Sequence, residues 1–369
     1  MDANTFLKLL HRWQRGSLTR RDFLRHSGLG MATAVLAANL PRAHAAPGQV
    51  LLETWPNYHS RANLEQFQRA HGAQVVEDVS GSNEEMLAKV RDAAGQADVL
   101  VATNYVIGSY AAQRLIEPLD LARLPSFDPA SYDGRMLAQG QLGNTVYGVP
   151  KNWGTTGMIY NARYLPDAPV GWRDFWALAK TTAHRRAVVH DYPLTAIGNA
   201  LKACGFSFNS VEQAELDQAE ALLLESKPHL LAITSDIQPL LRSGQAWLSM
   251  AWTGDATVLR RADPALAYVL GREGGEIWTD FFCIARASQN KAAAYALVDF
   301  LLTPANNQRE VLEVGYPCGD RRVDALLPAQ WLNDPVMYPA AEALSPLEYG
   351  AAATLTSPRR AEIMARFKA

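Results

Sequence analysis

Seven aromatic residues, Trp55, Tyr58, Tyr105, Trp153, Trp252, Trp278 and Tyr316, stand at the ends of predicted strands or in the turns that follow them. Two have an acid close by, Asp255 beside Trp252 and Asp280 beside Trp278. Ring faces attract a cation, carboxylates accept its N–H bonds, and ring walls hold its methylenes, so such a box recognises an organic ammonium. Taken singly, each ring is as well explained by a place in the core. Taken together, many lie just past strand C-termini, where open α/β sheets bind ligands. Catalysis would need other patterns. There is no G-x-S-x-G elbow, no H-E-x-x-H and no Gly-Lys-Ser/Thr phosphate loop. His59, His71, His184, His190 and His229 show no metal-ligand spacing, and His190-Asp191 reads as a turn after a strand. Neither a metal nor a cofactor is expected, and an exported enzyme of unknown chemistry is the weaker reading.

The elements that must position these residues alternate along the chain. Strand-like runs at 51–55, 74–77 and 98–101 enclose helical patterns at 61–70 and 84–94, the second opened by Asn83. Strand–helix–strand order implies a parallel sheet covered by helices, an α/β fold. Pro125, Pro129, Gly134, Gly140 and Gly143 interrupt the rhythm, and the β-like stretch 146–161 reads as a first crossing between two lobes. A second α/β unit follows over 172–270, and 276–284 reads as the strand that carries the chain back. Helices are predicted at 291–302 and 306–314, and an amphipathic one at 358–368. The expected division is 1–45 as a leader, 46–150 as the first part of lobe 1, and 151–276 as lobe 2. Residues 277–317 return to lobe 1, and 318–369 are C-terminal helices packing on lobe 2. Two α/β lobes joined by two or more crossings make a hinged cleft that can close on a small solute.

The leader is legible in its own right. Thr19-Arg20-Arg21-Asp22-Phe23-Leu24-Arg25 precedes an uncharged stretch over 27–41 and then Ala43-His44-Ala45, an A-x-A cleavage site. A basic n-region, an arginine pair followed by Phe-Leu, and a short apolar segment read as a twin-arginine export signal. As a membrane anchor the apolar run of about 15 residues falls short of the ~20 that a spanning helix needs. The full chain has 35 basic and 37 acidic residues. Seven basic and two acidic ones lie in 1–45, which leaves 28 against 35 and a net charge of −7 for the mature part. That balance argues against nucleic acid and anionic lipid as partners and mildly favours cations. Cys204, Cys283 and Cys318 form no C-x-x-C and are expected as buried free thiols. A disulfide from Cys318 to one of the others is the alternative.

The mature chain resembles the bacterial spermidine/putrescine-binding proteins, periplasmic receptors of ABC transporters. The likeness is carried by Trp55-Pro56-Asn57-Tyr58, Ser82-Asn83-Glu84-Glu85-Met86, Asn152-Trp153-Gly154 and Met250-Ala251-Trp252. It continues in the run from Glu273-Gly274-Gly275 to Trp278-Thr279-Asp280 and in Val314-Gly315-Tyr316-Pro317. The resemblance implies an α/β, two-lobed periplasmic-binding-protein fold (type II) with a hinged ligand cleft. It implies a site lined by Trp55, Tyr58, Thr103, Tyr105, Trp252, Trp278, Asp280 and Tyr316, with Asp280 pairing with an amine. Partners then follow: a small-molecule amine, an inner-membrane ABC permease, and the twin-arginine translocase during export of a periplasmic monomer.

At one turn the chain departs from the family pattern. Spermidine binders carry carboxylates after the strand that matches Val188-Val189, where this chain has His190-Asp191-Tyr192-Pro193-Leu194-Thr195. Tyr192 and Thr195 fall at the acidic positions, and Asp191 or Asp255 is left to serve the distal amine. The distal end is therefore expected to hold a second ammonium poorly, which leaves a diamine, a monoamine, an amino acid-like compound or an opine as candidates. A role in chemoreception is indistinguishable from transport at this level. For export the expectation is concrete: with Arg20→Lys and Arg21→Lys together, uncleaved protein stays in the cytoplasm. Cell fractionation checks it, and wild-type periplasmic levels of the double variant would refute the signal.

Overall fold

The computed structural model describes residues 48–92 and 97–369. Arg20, Arg21, the apolar run and the Ala43-His44-Ala45 cleavage site lie outside the described residues. Ten strands form one sheet. They are β1 (Gln49–Thr54), β2 (Gln74–Val79), β3 (Val99–Thr103), β4 (Val149–Asn161), β5 (Ala187–Val189), β6 (Leu230–Ile233), β7 (Leu248–Trp252), β8 (Leu266–Val269), β9 (Gly275–Ile284) and β10 (Leu347–Tyr349). The helices that matter here are α1 (Arg61–His71), α2 (Asn83–Asp92), α3 (Asn104–Ala112), α4 (Trp172–Lys180), α5 (Pro193–Cys204), α6 (Gln213–Ser226), α7 (Thr253–Ala262), α8 (Lys291–Leu302), α9 (Pro304–Val314) and α10 (Pro358–Lys368).

The strand order is β2-β1-β3-β9-β4-β7-β5-β6, with β8 paired to β4 and β10 to β9. In one half, β2, β1 and β3 run parallel; in the other, β7, β5 and β6 do. Each trio comes from strand–helix–strand units, as the alternating pattern required. Between them lie the two longest strands, β4 and β9, antiparallel to each other and to β3, β7 and β8, while β10 runs parallel to β9. These are the two crossings expected at 146–161 and 276–284. β9 pairs with β3 of the first half, β4 pairs with β7 and β8 of the second, and the ladder between β4 and β9 joins the two.

Parallel strands covered on both faces read as continuous apolar runs. Val99–Thr103 is buried along its whole length. Local signals set the helix ends: the Ser60 side chain accepts from the Asn63 amide to start α1, and Gly72 at φ 68° ends it. One core gathers Val50, Leu52, Phe67, Val99 and Val101 under Leu297 and Leu301 of α8. Another gathers Met158, Trp172, Phe175, Ile197, Leu216 and Met250 with Ile363, Met364 and Phe367 of α10. The final helix thus packs on the second half. It is tied there by the buried Arg360, whose guanidinium donates to Phe208 O at 2.6 Å and Ser210 O at 3.0 Å. Val323, Leu327, Trp331 and Met337 pack with Val311 of α9 and Cys318. No helix among the described residues is long and apolar enough to cross a membrane.

All three cysteines are free, Cys283 and Cys318 buried and Cys204 half-buried. Burial raises all three thiols, that of Cys318 to about 12, so little thiolate forms near neutral pH. An aromatic-disulfide reagent is therefore expected to leave Cys283 and Cys318 unmodified in the native protein and to count three thiols after unfolding. Fewer than three in the unfolded state would reveal a disulfide.

Candidate functional site

Asp280 lies near the middle of β9, in register with Thr103 at the end of β3 and Asn152 of β4. Its carboxylate is 3% exposed. Trp55 Nε1 donates to Oδ2 at 2.9 Å, and the Tyr58 hydroxyl lies 2.7 Å from the same oxygen. The Tyr58 hydroxyl is also 2.8 Å from Asn152 Oδ1, and its single proton favours the charged acceptor. Oδ1 has no hydrogen-bond partner among the described residues. Burial pushes this carboxyl up from its ordinary value, while the Thr103 and Tyr58 hydroxyls and the nearby Lys151 charge oppose the rise. The carboxylate is thus held through Oδ2, and Oδ1 keeps acceptor capacity.

Behind Tyr58 lies a buried polar cluster. The β4–β9 register shifts between Asp280 and Phe281, so that Asn152 and Pro150 are paired and Lys151 is the extra residue. Such bulges re-aim side chains. Here Lys151 Nζ donates to Tyr58 O at 2.9 Å, lies 3.4 Å from Glu310 Oε2 and sits 4.3 Å from the Tyr58 ring centroid. Glu310 also accepts from Ser60 N at 3.0 Å and Asn63 Nδ2 at 2.7 Å. The cluster joins α1, α9 and β4 and holds the Tyr58 ring in place. His59 is fully buried beside it, and burial together with Lys151 keeps its imidazole neutral.

The walls are aromatic. Trp278 stands opposite Gly154 in the ladder, and a Cβ at Gly154 would meet the indole at 2.5 Å. A Cβ at Gly254 would likewise meet the Tyr316 ring at 2.3 Å. Both rings lie directly on backbone that only glycine can present. Tyr316 stands edge-on to Tyr58 at 5.4 Å and to Trp278 at 5.2 Å. Trp278 Nε1 is buried without a partner among the described residues.

The other end is built around Tyr192, which precedes α5. Asn83 at the start of α2 donates to the Tyr192 hydroxyl at 2.7 Å and to Thr103 Oγ1 at 3.2 Å, and the Tyr105 and Tyr192 hydroxyls touch. Asn83 and Tyr105 come from the first half and Tyr192 from the second, so the halves meet here. Trp252 stacks at a tilt on His190, with centroids 4.4 Å apart, and stands edge-on to Tyr192. Burial lowers His190 to about 4, which keeps it neutral. Thr195 is buried in the first turn of α5, where its hydroxyl donates to Tyr192 O at 3.2 Å and lies 3.3 Å from His190 Nδ1.

The two acids left to serve this end have other partners. Asp191 accepts from Ser235 N at 3.0 Å and Ser235 Oγ at 2.7 Å and faces Lys368 at 3.7 Å. Asp255 accepts from Gln238 Nε2 at 2.7 Å, and burial raises it to about 6. Among the expected residues, Trp55, Tyr58, Thr103 and Asp280 form one cluster, joined to Trp278 and Tyr316. Tyr105, Tyr192, Thr195 and Trp252 form a second. Asn83, Asn152, Lys151 and His190 were not singled out as site residues. Asn83 and Asn152 stood in the quoted motifs, whereas Lys151 is placed by a bulge that no residue type announces. No group of three His, Cys, Asp or Glu able to hold a metal occurs among the described residues.

Two α/β lobes, two long shared strands and a cleft lined from both sides define a type II periplasmic-binding architecture. The comparisons agree. A model of the family described as bacterial extracellular solute-binding protein matches residues 62–337. A spermidine/putrescine-binding periplasmic protein of Salmonella typhimurium is 30% identical over 325 residues, 86% of this chain and 91% of that one. A putrescine/agmatine-binding protein of Pseudomonas aeruginosa is 26% identical over 86% of this chain and 91% of its own. The solved spermidine/putrescine ABC transporter substrate-binding protein of Streptococcus pneumoniae superposes with a TM-score of 0.73 at 25% identity, covering 87% of this chain and 98% of that one. The chain belongs to the family of bacterial extracellular solute-binding proteins.

Buried carboxyls leave a signature in stability. Burial raises Glu53 and Glu276 to about 7, with Asp255 at about 6. For carboxyls raised on folding, the stabilising contribution is complete below the unfolded value and is lost as pH rises through the folded one. The neutral His59 and His190 act in the opposite sense, and only below their ordinary 6.5. Between pH 6.5 and 8 the ligand-free protein should therefore melt at falling temperature, and Glu276→Gln should flatten the slope. Thermal melts of both proteins across that window check this; identical slopes would show that Glu276 does not titrate there.

Proposed function

We propose that this protein is the periplasmic receptor of an ABC importer and that its ligand is a polyamine or a related organic amine. The observation that carries the reading is Asp280: a buried carboxylate with one oxygen unpartnered, faced by Trp55 and Tyr58 with Trp278 and Tyr316 next to them. An ammonium brought to Oδ1 supplies the missing donor and the missing charge, and the rings hold its methylenes. The relatives' names support the same ligand class. An amino acid-like or opine ligand would bring a carboxylate that needs a cation, whereas Lys151 is already held behind Tyr58 by Glu310 and a backbone carbonyl. A relative solved with agropinic acid, 18% identical, shares the fold alone.

The protein does no chemistry in this reading. Residues of both lobes contact the amine, so its binding free energy favours the closed arrangement, and an inner-membrane permease recognises that form. Export by the twin-arginine translocase, cleavage after Ala45 and a monomeric mature protein belong to the same proposal.

A thermal-shift screen of amines, amino acids and opines on the mature protein identifies the ligand class. Titration calorimetry with the best amine then compares wild type with Asp280→Asn. The expected loss is about 2–5 kcal/mol, the usual cost of removing one member of a buried charge pair. A loss below about 0.5 kcal/mol, within the range of exposed pairs, would remove Asp280 from the site.

A further inference from the structure

We propose that Glu276 is the second carboxylate of the cleft, holding the distal ammonium of a diamine or polyamine whose proximal ammonium is held by Asp280. This rests on the amine reading above. Residues 276, 278 and 280 alternate along β9, so their side chains share one face. The register places them in three rows. Glu276 pairs with Thr156, which pairs with Trp252; Trp278 pairs with Gly154; Asp280 pairs with Asn152 and Thr103. Two carboxylates thus stand on one face at either side of an indole that lies on glycine. Four residues at about 3.3 Å each put their Cα atoms ~13 Å apart.

Glu276 is 2% exposed. Thr156 Oγ1 donates to its Oε2 at 2.6 Å, and no other hydrogen bond and no ion pair reaches it among the described residues. No cation is paired with it among the described residues. Asp280 stands on its own strand, and Tyr105, Tyr192 and Tyr268 approach from α3, from the turn before α5 and from β8. Glu348 is its register neighbour on β10, but Glu348 is bound by Lys202 at 3.0 Å and Phe208 N at 3.0 Å. Burial raises the Glu276 carboxyl to about 7. An ionised carboxylate buried without a counter-charge is strongly unfavourable, and a cation arriving with a ligand removes that cost. The turn at 190–195 offers no competing carboxylate, because Asp191 faces Ser235 and Lys368. The carboxylate missing from that turn is supplied from the sheet.

The test uses the mature protein as wild type, Glu276→Gln and Asp280→Asn, with putrescine, spermidine and n-butylamine as probes titrated to saturation. Glu276→Gln keeps the shape and an acceptor for Thr156, and its ligand-free melting temperature controls for folding. The expected result is at least a tenfold loss for putrescine or spermidine in Glu276→Gln, with butylamine changed less than about twofold. Asp280→Asn should weaken all three. Equal losses for butylamine and the diamines in Glu276→Gln, or no loss for any of them, would overturn the assignment while leaving the amine reading intact. Failure of wild type to bind any of the three would overturn the amine reading itself, and this assignment with it.

Discussion

The ladder between β4 and β9 is the constraint on which the rest of this protein depends. β9 carries the pairing to β3 of one lobe and β4 the pairing to β7 of the other, so the ladder between them joins the two halves of the sheet. Asn152, Gly154 and Thr156 on one strand face Asp280, Trp278 and Glu276 on the other. A slip of β9 by one residue would turn Glu276, Trp278 and Asp280 to the opposite face. The glycine at 154 makes the register specific, because the Trp278 indole fits over that backbone and over no residue with a Cβ. The bulge opposite Asp280 and Phe281 then adds the one irregularity the site needs, turning Lys151 toward Tyr58 and Glu310.

Charge along this floor is unevenly paired, with Lys151 bound by Glu310 and Asp280 Oδ1 without a partner among the described residues. Lys151 is held by Glu310 and by the face of the Tyr58 ring, so its ammonium acts on Asp280 through space without contacting Oδ1. It tempers the cost of burying the aspartate and leaves the open oxygen free. The same logic explains the aromatic walls. Tyr58, Tyr316 and Trp278 meet edge to face, an arrangement worth about 0.5–1.5 kcal/mol per pair beyond area burial. It keeps the rings standing whether or not methylenes lie between them. The three rings thereby hold one another in place.

Much of this was legible in the chain. Strand–helix alternation gave the parallel trios, and the two β-like stretches at 146–161 and 276–284 gave the crossings. Position at or past a strand end marked Trp55, Tyr58, Tyr105 and Trp252, whereas Trp278 lies inside β9. The turn at 190–195 shows the limit. Asp191 kept a charge next to the expected acidic positions, yet its carboxylate caps Ser235 and faces Lys368. A sequence neighbour two residues along an irregular turn has no defined direction. Glu276 shows the converse. Its spacing from Trp278 and Asp280 is the period of a strand, which was visible, but its burial and its lack of a cation are properties of everything packed around it.

The sequence by itself determined the class of fold, the order of its elements and the family. These depend on local periodicity, on residue type and on motifs of a few consecutive residues. Tertiary structure alone decided which carboxylates are bare, which are already paired, and where the buried lysine points. Those outcomes depend on contacts between residues more than a hundred positions apart, such as Tyr58 with Asp280 and Lys151 with Glu310. Desolvation, which sets the charge of each group, exists only once those distant segments have closed over it.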